Sequence, residues 1–324
     1  MNHPTRISYL MMAALLVLAA WLHLGTLVLT VLFGFFALRL FSFGRSKYLG
    51  LGIYIVAVAV VGAGLVYFSR QAYVALPQIA DTSIPAVVGF AEKNGVELPF
   101  TDYESLKTVA LAEAKEGIAG IGRYARAATF QFVLLVIGLV VAASLFLDGR
   151  RGADMNEGAP RDNLYTAVAT ELAVRFKTFY QSFGKVIGAQ IIISIINTGL
   201  TALFLGINSY PFAAVLIALT FLCGLLPIIG NLASNTLIVG VGFTVSPRTA
   251  IIALAFLVVI HKLEYFLNSK IIGDRIKSPM WLTLIGLVLG EKLMGIPGMI
   301  LAPVVLHYIR IEASRNKVAA AETT

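Results

Sequence analysis

Charge is what this sequence has least of: 13% of its 324 residues are Asp, Glu, Lys or Arg, against roughly a quarter in an ordinary globular domain. Between Lys185 and Lys262 only Arg248 carries a formal charge, a sparseness that excludes a water-soluble domain there. A single cysteine, Cys223, rules out a disulfide within the chain and leaves the redox compartment undefined. It lies in an apolar run and reads as a small buried residue. The net charge of +8 is dispersed over short loops, with no basic patch interleaved with aromatics, so nucleic acid is not an expected partner. No G-x-x-x-x-G-K-[ST] phosphate cradle occurs; QSFGKVIG around Lys185 lacks both its spacing and its hydroxyl. HExxH, GxSxG and paired aspartates are also missing, so the expectation is a non-enzyme with no catalytic residues and no cofactor. His261 and Glu264 alone are two ligands, too few for a metal site.

Apolar residues fill the space that charge leaves, at 58% of the chain. One helical crossing takes about 20 apolar residues, and backbone groups in lipid must be paired inside their own segment, which selects helices over an open sheet. The fold expected is all-α: a polytopic membrane protein with about eight transmembrane helices. Arg6 before an apolar run imitates a secretory signal, yet the run continues to Phe41 without a clear A-x-A site, so retention is expected. The stretch 7–41 is too long for one crossing and carries His23, Gly25 and Thr26 near its middle, which predicts a tight hairpin of two helices. A third segment spans 49–68.

Residues 70–126 form the long polar insertion, with seven acidic and six basic residues. It lacks the positive excess of a cytoplasmic loop and is assigned outside. Thr101 and Glu104 fit a capping box, and the positions after them follow a helical period, predicting an amphipathic helix. Segments follow at 127–147, 187–206, 212–226, 232–245 and 250–266, with an interfacial helix over 163–183. The basic loops at 39–47, 150–185 and 270–277 place both termini in the cytoplasm of a multi-pass inner-membrane protein. The expected division is 1–69 for membrane helices one to three, 70–126 for the insertion and 127–149 for helix four. The interfacial helix then takes 150–185, a C-terminal transport core 186–310 and a cytoplasmic tail 311–324.

Two Pro/Gly interruptions stand out in this apolar sequence. In LLPIIGN, Pro227 removes an amide donor and Gly230 permits unusual dihedrals; GIPGMILAP repeats the theme with Gly295, Pro297, Gly298 and Pro303. Interrupted helices in two halves of a chain are the sequence mark of a transport site, because free backbone at membrane depth must line protein or a cavity. Proline that merely kinks packed helices explains them equally well. Either stretch, 212–245 or 281–303, reads as a re-entrant hairpin or as full crossings. Glu264 ends a long apolar segment, with His261 on the same helix face, and a carboxylate partly withdrawn from water suits a proton or cation relay. A headgroup-level residue paired with Lys262 or Lys270 is the plainer explanation. Glu291 and Lys292 form a buried pair or an exposed turn. Asn197, Thr198, Thr201, Asn231, Ser234, Asn235, Thr236 and Asn268 supply uncharged hydrogen bonding, for interhelical packing or for lining a polar path.

In its order of LLPIIGN, Glu264 with NSKIIG, SPMW and LVLGEKLMGIPGMILAP, the chain resembles the AI-2E family transporters. These are also described as autoinducer-2 exporters and include proteins similar to permease PerM. LFLDG at 145–149 and FLGINSYP at 204–211 are similar to the family pattern too. The resemblance implies export of a small polar signalling molecule or, for some members, exchange of sodium or related monovalent cations for protons. It also implies a homo-oligomer, with a pentamer as the guess. Carried over by position, Pro227 and Gly230 match the break, Glu264 the acidic position, Gly273 and Pro279 the next turn, and Gly290, Gly295, Gly298 and Pro303 the final motif. Asn231 stands where the family often has proline. Three functions follow for testing: a secondary exporter of a small polar solute such as autoinducer-2, a cation/proton antiporter working through Glu264, and a membrane scaffold that recruits a partner through 70–126.

Overall fold

The computed structural model describes residues 3–42, 46–95, 121–148, 163–226, 229–272 and 279–315. The capping-box pair Thr101 and Glu104, Pro227 and Gly273 lie outside the described residues, as does the side chain of Asn268. Among the described residues the regular elements are helices: α1 (His3–Trp21), α2 (Gly25–Phe41), α3 (Lys47–Lys93), α4 (Ile121–Asp148), α5 (Leu164–Ile207), α6 (Ala213–Gly224), α7 (Ile229–Val245), α8 (Pro247–Ile272), α9 (Met280–Met294) and α10 (Ile296–Arg315). Five of these, α1, α3, α4, α5 and α10, are long and apolar enough to cross a membrane, and α2 and α6 are shorter apolar helices. The outward faces of α3, α4, α5 and α8 carry exposed Val60, Val61, Val140, Ile195 and Val259. Apolar surface on that scale needs lipid rather than water. The chain is an all-α polytopic membrane protein.

The hairpin expected near His23 is present. His23 takes a positive φ of 53°, and the amide of Leu24 bonds back to the carbonyl of Ala19, so α1 ends and α2 begins within a few residues. The third segment differs from its expected end at 68. Helix α3 continues unbroken to Lys93, 47 residues in all, which is ~70 Å at 1.5 Å per residue and about twice the hydrocarbon thickness of a bilayer. Pro77 and Pro85 sit inside it. The carbonyls they leave free, four residues earlier, belong to the exposed residues Tyr73 and Asp81. The interfacial helix and the fifth segment are likewise one element, α5. Asn163 starts it by accepting the amide of Thr166 at 2.8 Å, the usual N-cap bond, and Gly184 and Gly188 do not interrupt it.

The residues cluster into two compact units. Unit 1 comprises Met1–Val56, Gln131–Gly188 and Asp274–Thr324. Its aromatic core sets the edges of Phe33 and Phe36 against Phe183, at 5.0 and 6.4 Å between ring centres. Helices pass closely where glycine allows it: a Cβ on Gly34 would lie 2.6 Å from the Tyr54 hydroxyl, and one on Gly138 2.7 Å from the Thr30 side chain. Unit 2 comprises Ala57–Phe130 and Ala189–Gly273. Its core joins Ala75 and Ile79 of α3 to Phe204, Leu205, Leu216, Ile238, Val241, Ala253 and Leu257, with Phe204 stacked on Phe256 at 4.3 Å. The polar half of α3 is therefore packed through its small and apolar face.

Candidate functional site

Helix α6 has only 12 residues, ~18 Å, against a hydrocarbon layer of about 30 Å. It stops at Gly224, and its last turn leaves carbonyls without intrahelical donors. Two side chains of α5 take them: Gln190 Nε2 donates to Gly224 O at 2.5 Å and Ser194 Oγ donates to Phe221 O at 2.9 Å. The approach depends on the missing Cβ of Gly224, which would sit 2.5 Å from Ser194 Oγ. Gly230 is equally constrained, since a Cβ there would overlap the carbonyl of Cys223. Gln190, Ser194, Asn197 and Thr201 follow one another at helical spacing along one face of α5. Ser194, Asn197 and Thr201 are buried, and Asn197 Oδ1 has no partner among the described residues.

Beyond the break, α7 and α8 form a hairpin whose turn is set by sequence. Ser246 caps α8 by accepting the amide of Thr249 at 3.0 Å, and Pro247 opens the helix, where a missing amide costs nothing. Counting back from Ser246 along α7 and forward along α8 brings Asn231 and Glu264 to similar distances from the turn. They meet: Asn231 Nδ2 donates to Glu264 Oε2 at 2.6 Å. His261 Nδ1 lies 4.0 Å from the same oxygen, with its side chain 73% exposed against 13% for Glu264. A carboxylate largely removed from water is thus held by a neutral amide at the start of a broken helix. Ser234 is buried and bonds back to Asn231 O at 3.3 Å, while Asn235 is half-buried on the same helix.

GIPGMILAP belongs to unit 1 and is built differently. Gly295 takes φ 64° and ψ −147°, a conformation reserved for glycine, and reverses the chain between α9 and α10 in one residue. Gly290 and Gly298 then touch backbone to backbone, leaving no room for a Cβ on either. Pro297 lies in the first turn of α10, where proline is tolerated, and Pro303 lies within that helix. Glu291 and Lys292 pair at 3.7 Å with side chains 47% and 77% exposed, an exposed pair near the end of helix α9 rather than a buried pair or a loop turn. Within unit 2 the structure brings together Gly230, Asn231, His261 and Glu264; Glu291, Pro297, Gly298 and Pro303 lie in unit 1.

Sequence reasoning missed the charge cluster of unit 1. Arg175 Nη1 pairs with Glu312 Oε2 at 2.8 Å, both side chains being almost fully buried, and its Nη2 reaches Glu171 at 2.8 Å. Tyr9 donates its hydroxyl to Glu312 at 2.9 Å, its ring lies 4.1 Å from the Arg175 guanidinium, and Arg315 holds the other Glu312 oxygen at 3.1 Å. Glu171 with Arg175, and Glu312 with Arg315, stand at helical spacing in the sequence. That signal marks each pair but not their meeting.

Membrane-length helices, a half-length helix whose end is held by neighbouring side chains, and a sheltered carboxylate beside it make up this polytopic membrane protein. The chain belongs to the AI-2E family transporters, whose profile matches residues 7–312. The Bacillus subtilis (strain 168) protein named "Putative transport protein YdbI" is 29% identical over 150 residues, a stretch covering 45% of this chain and 43% of that relative. The matched stretch is thus less than half the length of either protein.

Proposed function

We propose that this protein is a non-enzymatic secondary transporter that exports a small polar solute, of the kind exemplified by autoinducer-2, through the broken helix of unit 2. The bond from Asn231 to Glu264 carries the reading: a sheltered carboxylate bonded to a neutral amide, beside a helix end whose carbonyls are held by side chains, supplies both a charge and hydrogen-bonding groups to a passing solute. The reading also takes the bacterial inner membrane as the site, with both termini in the cytoplasm, as the basic loops suggest. A deletion strain complemented with wild type or Glu264→Gln tests it by the ratio of intracellular to extracellular autoinducer-2. Wild type lowers the ratio and Glu264→Gln does not; a ratio unaffected by the deletion overturns the reading.

Cation/proton antiport is the second reading, favoured by the same carboxylate because no Lys or Arg among the described residues is paired with it. Adding sodium to proteoliposomes containing a pH dye would then release protons, and the response would vanish in Glu264→Gln. A response that persists in the variant removes Glu264 from the exchange.

A further inference from the structure

At the C-terminal end of α2 the guanidinium of Arg39 is held by two rings. It lies 5.2 Å from the centre of Phe35, one turn back on the same helix, and 5.7 Å from the centre of Tyr180 on α5. The rings themselves meet edge to face at 5.2 Å, and all three residues belong to unit 1. A basic residue at the headgroup level is what the positive-inside rule asks for, but that rule needs no fixed position. Two cation–π contacts provide one, and Arg39 stays exposed, so its planar fork of donors is presented rather than buried. Lys177 stands three positions before Tyr180, on the same side of α5, and is exposed too. The basic loops 39–47 and 150–185 thus supply one cation each to the same end of the α2–α5 seam. Glu171 precedes Tyr180 by nine residues, about two and a half turns, so it projects from the opposite face of α5, where it pairs with Arg175 and through it joins Glu312. Among the described residues neither Arg39 nor Lys177 is in an ion pair.

Apolar surface flanks the two cations. Leu40 follows Arg39 on α2 and Phe176 precedes Lys177 on α5, and both side chains are exposed. Toward the bilayer, the side of α5 that carries Lys177 continues with Gly184 and Gly188, about two and three turns on, a smooth strip along which an acyl chain can lie. Positive charge at the rim with apolar surface beneath it matches a lipid rather than a soluble anion. We propose that the α2–α5 seam of unit 1 binds the phosphate headgroup of an anionic phospholipid, with Arg39 as the bidentate donor and Lys177 as the second charge. The rings of Phe35 and Tyr180 hold the guanidinium in place before the lipid arrives, which lowers the cost of ordering it. This site is separate from Asn231 and Glu264, and its test contains no solute, so its failure leaves the reading of unit 2 intact.

The full-length protein in a neutral detergent, titrated with phosphatidylglycerol and followed by its thermal midpoint, provides the measurement, because a ligand of the folded state raises the midpoint. Phosphatidylglycerol should raise it in wild type, whereas phosphatidylcholine with the same chains and inorganic phosphate should not. Arg39→Gln should increase the lipid concentration that gives half the rise about tenfold or more, in line with loss of charge-assisted hydrogen bonds. Lys177→Gln should increase it too, and Arg6→Gln, which removes an exposed cation from α1 of the same unit, should leave it where it was. An equal rise with phosphatidylcholine or with inorganic phosphate, a wild-type response in Arg39→Gln, or an equal loss in Arg6→Gln overturns the proposal. If Arg39→Gln does not fold, Lys177→Gln decides: a higher lipid requirement supports the site and an unchanged one overturns it.

Discussion

At the end of α6 in unit 2, backbone carbonyls are taken by an amide and a hydroxyl from α5, and the next helix opens with an asparagine that holds a carboxylate. At the end of α9 in unit 1, the chain turns on one glycine, and two further glycines close the hairpin backbone to backbone. The first interruption leaves polar groups that a solute can compete for. The second leaves none, and unit 1 instead buries an ion cluster around Arg175. On the proposed function, the interruption that serves transport is the one whose freed groups are satisfied by side chains, which exchange partners more readily than packed backbone.

Substitutions sharpen this contrast. The largest effect is expected for Arg175→Leu, which takes the buried guanidinium from Glu312 and Glu171 and leaves Tyr9 and Arg315 to hold the Glu312 carboxylate; breaking one partner of a buried pair costs about 3–5 kcal/mol. The thermal midpoint in detergent should fall steeply, and a second change, Glu312→Leu, should recover much of the loss. A midpoint unchanged in the single variant would mean that the cluster does not hold unit 1 together. Gly298→Ala comes next, because its methyl would land on the Gly290 carbonyl and force α9 and α10 apart, an overpacking cost of about 1–3 kcal/mol. Solute export per folded molecule should stay nearly constant in Gly298→Ala; a selective loss of export would make the unit 1 hairpin part of the path.

In unit 2 the balance reverses. Asn231→Leu removes the donor to a sheltered carboxylate and should cost about 1–2 kcal/mol while abolishing export, and an exporting variant would dissociate the pair from transport. The smallest change is expected for Ser194→Ala, which withdraws one hydrogen bond from the end of α6 and should cost about 1 kcal/mol. Faster backbone hydrogen exchange confined to residues near 221–226 would accompany it, and exchange unchanged there would show that α6 does not depend on α5.

Much of this architecture is legible in the order of residues along the chain. The hairpin at His23 follows from an apolar run too long for one crossing, with a glycine at its centre. The turn at Asn208–Pro211 and the start of α8 at Ser246 and Pro247 follow from residues that cap, break or begin helices. The extents of α3 and α5 are not legible in that way, because hydropathy detects where a segment leaves lipid and not where its helix ends. Residues 70–93 turn polar without ceasing to be good helix. Asn231 and Glu264 each stand out as polar residues in apolar surroundings, yet their bond does not, since they lie 33 positions apart.

Local chemistry along the chain is enough for membrane residence, helical structure and the positions of both interruptions, because a charge-free run has one stable solution in lipid and proline and glycine act where they stand. Which interruption is polar is decided by partners from elsewhere in the chain: Gln190 and Ser194 for α6, Gly290 against Gly298 for α9 and α10. The same holds for Arg175 and Glu312, 137 positions apart. Whether a charge or a freed carbonyl is a liability or a site depends on what packing brings within hydrogen-bond reach.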